Sequence, residues 1–450
     1  MSVRVALAAF LVVALTACGG SKQARTTTAA QSARPAPPVQ RFVTRPDLQP
    51  PPIRVATAAH ATAPGYLFAA PKKQVKQAGP LILDDAGNVV WFMPLDTHGV
   101  TDFKVQTYQG RPVLTWWRGQ STKGVGNGRY VIADASYRVI GDVRAGNGLS
   151  GDIHEFLITP RNTALFTVYR AIHEDLSALG GPKDELVNEG VIQEVDIATG
   201  KVLFEWHSAP HVPLADSYEP LPKGAKETWD YFHENAIEEL PNGDLLLSAR
   251  HTHAIYDIRF HGNGVYSLFD NHASRPGEAA ESRAIVFRLD TTAMKATVLR
   301  TYEHTPKLLS TSQGNAELLA NGNLLVGWGS NPVATEFAPD GTVLLDLEIG
   351  GTKVDSYRWF RLPWTGRPVE PPVAVARRSG SATKVYVSWN GATEVRSWRV
   401  SGDGVVLATA PKDGFETAID VPGGHAAYAV DALDADGDVI GASTLARVGK

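Results

Sequence analysis

Histidine is the residue type that offers most chemistry in this 450-residue chain, and it is unevenly distributed. Ten of the thirteen histidines fall between His154 and His304, one third of the chain. The densest stretch, SARHTHAIYDIRFHGNGVYSLFDN (248–271), contains three of them together with two arginines. An imidazole can act as an acid, a base or a nucleophile near neutral pH. The clustering predicts that some of these side chains converge on one site.

Three further stretches place a polar side chain where an apolar strand is expected to begin. The stretches are GDIHEFLIT (151–159), WDYFHENAIEELPNGDLLLSAR (229–250) and LLSTSQGNAELLANGN (308–323), and the side chains are His154, His233 and Asn315. If the inner strands of neighbouring sheets surround a channel, these three side chains face one another at its mouth. The alternative is that the two histidines tie neighbouring sheets together by hydrogen bonds.

Metal and thiol chemistry receive little support from the sequence. His251 and His253 alternate and could share one face of a strand, which would be half of a metal site, but no third ligand is evident. The prolines around His207 and His211 exclude the helical geometry of a zinc site. Cys18 is the only cysteine. We therefore expect no metal, no other cofactor, no disulfide and no thiol nucleophile.

The elements that must position these residues are predicted to be β-hairpins. Apolar runs repeatedly flank a glycine-containing turn, and such turns readily take the positive φ values of tight hairpins. The runs are PLILDDAGNVVWF (80–92), VDIATGKVLFEW (195–206), IEELPNGDLLLSAR (237–250), AELLANGNLLVGW (316–328) and TEFAPDGTVLLDL (335–347). Residues 53–366 are too many for a simple sandwich and fit an all-β, six-bladed β-propeller. Two or three stacked sandwiches are the alternative.

The two ends of the chain have different compositions. Residues 1–17 combine a basic Arg4 with a short apolar run, which predicts a signal peptide, and Cys18 stands where a lipoprotein is acylated. We expect residues 18–52 to be a flexible Pro/Ser/Thr/Ala-rich tether on the extracytoplasmic face of the cell membrane. Residues 370–450 alternate like the strands of a small immunoglobulin-like or fibronectin-like β-sandwich. The net charge of −4 argues against a nucleic-acid partner.

A series of short motifs in this order resembles the bacterial PAPS-independent arylsulfotransferases, in particular their actinobacterial lipoprotein branch. The motifs are WWRG, GDIHEF, YFHENA, SARHT, LFDN, QGNAEL, GWGSNP and SWNGATEV. The resemblance covers about residues 79–445. It implies a six-bladed propeller that carries a sulfuryl group from an aryl sulfate to a phenol through a sulfohistidine intermediate.

The resemblance also implies roles for particular residues. His154 in DIHEF and His233 in YFHENA are similar to the two channel histidines of the family, and Arg250 in SARHT is similar to its sulfate-binding arginine. Arginine suits this role because its planar fork gives two parallel hydrogen bonds to an oxyanion. Asn235 and Asn315 are expected to bind substrate.

The histidine that becomes sulfated in the family has no counterpart at the expected position. Aligning this chain on RFHGNG and LFDN puts Tyr256 there. The turns at Asn242 and Asn263 are only 21 residues apart, about half of a blade. The spacing predicts a deletion from Ala254 to Tyr256 and an incomplete blade. Either His251, His253 or His261 substitutes for the lost nucleophile, or the protein is a degenerate propeller that binds aryl sulfates or acts as a scaffold.

Overall fold

The computed structural model describes residues 40–223, 227–252, 259–272, 281–290, 292–351 and 353–449. The signal peptide, Cys18, the first part of the tether, His253 and the predicted deletion at Ala254 to Tyr256 lie outside these residues. The described chain consists of β-strands apart from two short 3-10 helices, Ser177–Leu179 and Leu214–Asp216. The all-β prediction is confirmed. Among the described residues there is no helix with the length and apolar character that crossing a bilayer requires.

Six sheets follow one another through residues 53–362, and we name them S1 to S6. In S1 a strand from late in this region, Phe360–Leu362, pairs with the early strands Tyr66–Ala69, Leu81–Leu83 and Val89–Phe92. S2 comprises Val100–Tyr108, Arg111–Thr122, Val125–Ala133 and Val139–Val143. S3 comprises Gly151–Ile158, Thr163–Glu174, Glu185–Asp196 and Val202–His207. A single pair, Gly151 with Gly128, joins S2 and S3.

The sheets after S3 differ in size. S4 has two strands, Glu234–Glu239 and Leu245–Ala249. S5 has four, Arg259–Phe260, Val265–Asp270, Arg283–Asp290 and Lys295–Glu303. S6 has Asn315–Leu318, Leu324–Gly327, Val333–Phe337 and Val343–Ile349, and its outer edge is completed by the early strand Ile53–Thr57. A small ribbon pairs Pro71–Lys73 with Val354–Ser356. Strands from the two ends of the region therefore meet in both S1 and S6.

The five predicted hairpins are all present, because their turns contain a glycine in the left-handed region. Four of these glycines, Gly87, Gly243, Gly322 and Gly341, have φ values between +76° and +91°, and Gly200 has φ +71°. A side chain rarely adopts this conformation, whereas glycine does so without steric cost. The local sequence thus fixes where each pair of strands reverses direction.

The apolar core lies between successive sheets rather than in one central mass. Five clusters of buried side chains join S1 to S2, S2 to S3, S3 to S4, S5 to S6 and S6 to S1. No such cluster of described residues joins S4 to S5. The chain of apolar contacts therefore runs through all six sheets but is interrupted beside the two-stranded sheet.

The last strands form a unit with its own core. They are Val373–Ser379, Ala382–Ser388, Ser397–Gly402, Val405–Pro411, Glu416–Pro422, Ala427–Leu433, Val439–Ala442 and Ala446–Gly449. Trp398 and Tyr428 are fully buried at its centre. The amide of Asn390 holds the backbone N–H and C=O of Phe92 at 3.0 Å each, which ties this unit to S1.

The prediction of a flexible tether up to residue 52 is wrong for its last part. Thr44 and Leu48 are 5% and 1% exposed, and Leu48 belongs to the core between S1 and S6. The Glu416 carboxylate accepts a hydrogen bond from the Val43 backbone at 3.1 Å. An apolar side chain and a glutamate more than 360 residues away fix this segment, and composition alone does not reveal either contact.

Candidate active site

Three histidine rings lie in a row where S3 meets S4. The ring centroids of His154 and His233 are 5.0 Å apart, and those of His233 and His251 are 4.8 Å apart. His154 belongs to the strand Gly151–Ile158, and His233 directly precedes the first strand of S4. His251 follows the second strand of S4. The structure therefore brings the two predicted channel histidines together and adds a third.

His154 is held by Asp152, two residues earlier on the same strand. The pairing of this strand shifts register between Gly151 and Phe156, which allows both side chains to be buried. One carboxylate oxygen of Asp152 accepts hydrogen bonds from Nδ1 and from the backbone N–H of His154, the latter at 3.0 Å. The other oxygen accepts the Gly126 backbone N–H at 2.5 Å. The imidazole is consequently fixed in orientation, with Nε2 left unused by Asp152.

His233 adopts a backbone conformation that is unusual for a residue with a side chain. Its φ is +54°, in the left-handed region, and its Nδ1 is hydrogen-bonded to Asp230 Oδ2. Gly124, at the tip of an S2 hairpin, lies close to the ring, since a Cβ built there would be in van der Waals contact with His233 Cε1 at 3.6 Å. Strained conformations of this kind persist where surrounding structure enforces them and are frequent at functional sites.

In the neutral imidazole of His251 the nitrogen that carries the lone pair is Nε2. Its Nδ1 donates to the backbone carbonyl of Asp230, and since a carbonyl can only accept, Nδ1 carries the proton. Its Nε2 lies 3.4 Å from Glu219 Oε2. Burial, and then the proximity of His233, lower the pKa of His251, which favours the neutral imidazole.

Nδ1 is hydrogen-bonded in all three imidazoles: in His154 and His233 to the carboxylates of Asp152 and Asp230, and in His251 to the backbone carbonyl of Asp230. Burial by itself would raise the pKa of Asp230, but the nearby His233, His251 and His154 outweigh it, so that this pKa lies below its usual value. An ionised aspartate at Nδ1 stabilises the imidazolium form of its partner. The row can therefore bind an anion, donate protons or act as a nucleophile.

Two further ionisable side chains, Tyr169 and Glu234, lie next to the row. Tyr169 contacts the rings of His154 and His233 at 5.8 and 5.9 Å and donates from its hydroxyl to the backbone carbonyl of Glu234 at 2.8 Å. Burial raises the pKa of Tyr169 well above its usual value. Burial also raises the pKa of Glu234, which is fully buried and packs directly against Gly190. These neutral groups add bulk without adding charge.

Beneath the row, a buried ion network joins four elements. Arg358 Nη1 contacts Asp102 at 3.1 Å and Glu155 at 2.9 Å, and its Nη2 donates to the Asn235 carbonyl at 3.0 Å. Lys104 bridges the same two carboxylates at 2.8 and 2.7 Å. The two cations and two anions balance, so the network fixes strands from S2, S3 and S4 relative to one another.

The backbone of Arg250 is hydrogen-bonded to a residue of the row, whereas its side chain extends toward S6. Its N–H donates to the His233 carbonyl at 2.8 Å, which confirms that the motifs YFHENA and SARHT are neighbours. Its guanidinium Nη2 donates to the Thr311 carbonyl at 3.3 Å, in the loop before S6. Sulfate binding by Arg250 remains a prediction.

The substrate-binding role expected for Asn315 disagrees with its contacts. Its Nδ2 donates to the Trp359 carbonyl at 2.7 Å, its Oδ1 accepts the Trp359 N–H at 3.0 Å, and its side chain is buried. Both polar atoms are occupied by one backbone residue, so Asn315 fixes a loop. Asn235 is different because its Oδ1 is buried without a hydrogen-bond partner among the described residues.

Asp230, His233 and His251 also form the one group of potential metal ligands that the described residues contain. Their facing atoms lie within 4.8 Å of one another. Two ligands at about 2.1 Å from a tetrahedral ion would be roughly 3.4 Å apart. Asp230 Oδ2 is hydrogen-bonded to His233 Nδ1, whereas Asp230 Oδ1 is buried with no hydrogen-bond partner among the described residues. The arrangement is that of a hydrogen-bonded Asp–His pair.

Sequence reasoning missed the residues that hold the row. Asp152 and Asp230 precede their histidines by two and three residues, a spacing that could have indicated the pairing. Tyr357, whose ring is 5.8 Å from that of His154, comes from the end of the region and gave no local signal.

The comparisons with solved structures give distant likenesses. A protein of unknown function from Bacteroides caccae is 16% identical, with a TM-score of 0.35 over 66% of this chain and 98% of its own. The periplasmic gluconolactonase PpgL of Pseudomonas aeruginosa is 12% identical, with a TM-score of 0.33 over 79% of this chain and 99% of its own. No curated protein matches the chain.

The comparison with protein families gives a clear result. The profile of the arylsulfotransferase (ASST) family matches residues 104–263 and 252–350, which together are more than half of the chain. These ranges include all strands of S3, S4 and S5, most of those of S2 and S6, and all three histidines of the row. The chain therefore belongs to the arylsulfotransferase family.

Proposed function

We propose that this protein is a lipid-anchored, extracytoplasmic arylsulfotransferase that moves a sulfuryl group from an aryl sulfate to a phenol without PAPS. Family membership supports sulfuryl transfer in general. The observation that carries the finer proposal is the row of His154, His233 and His251, in which each Nδ1 is hydrogen-bonded to a carboxylate or backbone oxygen of an aspartate. Such a row supplies a nucleophile, an acid and an anion-binding group within one ring spacing of each other.

In the proposed reaction His251 is the nucleophile. Its Nε2 lone pair attacks sulfur, the bond between sulfur and the phenolic oxygen breaks, and an N-sulfo imidazolium forms. The Nδ1–H of this cation continues to donate to the Asp230 carbonyl. His233, as an imidazolium backed by ionised Asp230, binds the sulfuryl oxygens, and His154 gives its Nε2 proton to the departing phenolate. His154 then removes the proton of the acceptor phenol, whose oxygen attacks sulfur and releases neutral His251.

His251 is the candidate that the contacts favour among the three considered for the missing nucleophile. His261 Nε2 is hydrogen-bonded to Ser267 Oγ at 2.8 Å, on the hairpin of S5. His253 and Tyr256 lie outside the described residues. His251 lies beside His233, is only partly exposed and has a lowered pKa.

We further propose that S1 to S6 are the blades of a six-bladed propeller in which S4 is a half blade, followed by a β-sandwich at 370–450. The two strands of S4 and the interrupted core between S4 and S5 support the incomplete blade. The family match also breaks into two segments that overlap at 252–263, where the deletion is expected. A lipid on Cys18 would tether the domain to the outer face of the membrane, and loss of fatty-acid labelling in Cys18→Ser would test this.

The test of the activity is acceptor-dependent release of phenol from a chromogenic aryl sulfate. His251→Ala and His154→Ala should each abolish turnover, and mass spectrometry of the wild-type protein with donor alone should find one sulfuryl group on the peptide containing His251. His211→Ala is a control, since this exposed imidazole lies outside the row. Release that is unchanged in His251→Ala would contradict the assigned nucleophile.

A second candidate function is supported by the half blade. A propeller without the family's nucleophile could bind aryl sulfates or act as a scaffold without turnover. Measurable binding of an aryl sulfate, with no phenol release at high protein concentration, would favour this reading over transfer.

A further inference from the structure

Lys72 is a buried cation beside the histidine row that neither the sequence motifs nor the family assignment drew attention to. It lies on the small ribbon Pro71–Lys73, opposite Asp355, and its side chain is 13% exposed. Its Nζ is 4.0 Å from Asp355 Oδ1, which is too far for a hydrogen bond. The ammonium group therefore has donors to offer.

The Asp355 carboxylate does not neutralise the charge of Lys72, because it is paired with Lys73. Asp355 Oδ2 contacts Lys73 Nζ and accepts a hydrogen bond from Gln313 Nε2 at 3.0 Å. Lys73 is 57% exposed and provides the counter-ion for Asp355. One carboxylate thus faces two ammonium groups. One net positive charge remains, and Lys72 can use it to bind an anion.

The ring of Tyr357 connects Lys72 to the row. Lys72 Nζ is 5.6 Å from the centroid of this ring, and the centroid of His154 is 5.8 Å from it. The ammonium group and the imidazole therefore flank the same aromatic side chain. Lys72 Nζ and the centroid of the His154 ring are thus at most about 11 Å apart.

The other cations near the row already have partners. Arg358 and Lys104 are bound to Asp102 and Glu155, and the Arg250 guanidinium donates to Thr311. A sulfate ester carries a negative charge, and transferring it into a buried site without a cation would be unfavourable. Lys72 is a further described cation, besides the imidazolium groups of the row, that can meet this need.

We propose that Lys72 binds the anionic oxygens of the aryl sulfate and holds them against His154. This assignment rests on the proposed function, because it names the substrate charge that the same site recognises. Burial lowers the pKa of Lys72 to about 8, so that the side chain is mostly protonated at neutral pH and gains from an anionic partner. Binding of the anion completes the charge balance that Asp355 leaves open.

The test compares Lys72→Met with Lys76→Met, which removes the same charge from an exposed position four residues away. Lys72→Met should weaken inhibition by inorganic sulfate and raise KM for the aryl sulfate by about tenfold to one-hundredfold, as expected for a charged hydrogen bond. Lys76→Met should change both by less than about threefold. Lys72→Arg, which keeps the charge, should recover most of the affinity.

Each outcome of this test either supports or contradicts the assignment of Lys72. Equal sulfate affinity in Lys72→Met, Lys76→Met and the wild type would overturn the proposal, as would a fall in kcat with no change in affinity. Calorimetric binding of inorganic sulfate separates this assignment from the activity itself. If the wild type shows no turnover but binds sulfate, and Lys72→Met loses this binding, the transferase proposal fails while the anion site stands. Unchanged thermal unfolding of Lys72→Arg would show that the fold tolerates the change.

Discussion

The clearest physical prediction concerns Glu234, the residue directly after His233. Its carboxyl group is fully buried, its Oε1 accepts the Val191 backbone N–H at 3.2 Å, and its Oε2 has no hydrogen-bond partner among the described residues. Burial, reinforced by the charges of Asp152 and Asp230, raises its pKa well above the ordinary 4.5. The folded protein should therefore carry Glu234 as a neutral acid.

If Glu234 is neutral in the folded protein, the free energy of unfolding must fall as the pH rises. Above pH 4.5 the unfolded chain releases the proton of Glu234, whereas the folded protein retains it up to the raised pKa. The unfolded state then binds fewer protons, so the free energy of unfolding falls as pH rises, by about 1.4 kcal/mol per pH unit within this window. In Glu234→Gln the side chain cannot ionise in either state, and this contribution disappears.

The assay is urea unfolding of the wild type and Glu234→Gln at about pH 5 and about pH 6. The variant should gain about 1.4 kcal/mol relative to the wild type between the two conditions, while the arylsulfotransferase activity is retained. The exposed Glu370→Gln is the matched control, and its difference from the wild type should not change with pH. Parallel curves for Glu234→Gln and the wild type would mean that the buried carboxyl is ionised, and the reasoning would be refuted.

Three further substitutions test the framework of the site. Gly190→Ala places a methyl group against the buried Oε2 of Glu234 and should destabilise the protein by about 1–3 kcal/mol in urea unfolding; a cost near zero would contradict the packing. Arg358→Met leaves two buried carboxylates with one cation and should cost about 3–5 kcal/mol, whereas Arg399→Met removes a partly exposed pair and should cost under about 1 kcal/mol in the same measurement. Asn315→Ala should lower the unfolding free energy by about 1–3 kcal/mol and leave KM for the aryl sulfate within about twofold, and a large rise in KM would restore its predicted substrate role.

The hairpins could be predicted because their cause is local. A glycine at a turn requires only its own backbone to take a positive φ, and the apolar runs on either side then pair. The end of the tether could not be predicted in the same way. Leu48 is buried by strands of S1 and S6, and the Val43 backbone N–H donates to a glutamate in the last unit. Neither partner is near in sequence.

In the candidate site, too, the residues that could be predicted are those whose position depends on local sequence. The sequence identified His154 and His233 from their positions before apolar runs, and the structure brings their rings to 5.0 Å. It also indicated Asn315, whose position at the start of a strand is right, but a backbone residue 44 positions later occupies its amide. Lys72 had no local signal at all. Side-chain direction depends on which distant segment arrives next to it, and residue spacing carries no information on this.

The third histidine of the row, His251, is compatible with the charge balance of the site. Asp152 and Asp230 are each committed to an imidazole Nδ1, and Arg358 and Lys104 are committed to the network beneath. An anionic substrate can then be balanced only by imidazolium groups and by a cation outside this set. A neutral His251 at the end of the row adds a nucleophile without changing that balance, since its Nδ1–H is donated to a carbonyl rather than to a carboxylate. If the family's histidine is absent near Tyr256, the row still contains His251, whose lowered pKa favours the neutral imidazole that attack on sulfur would require.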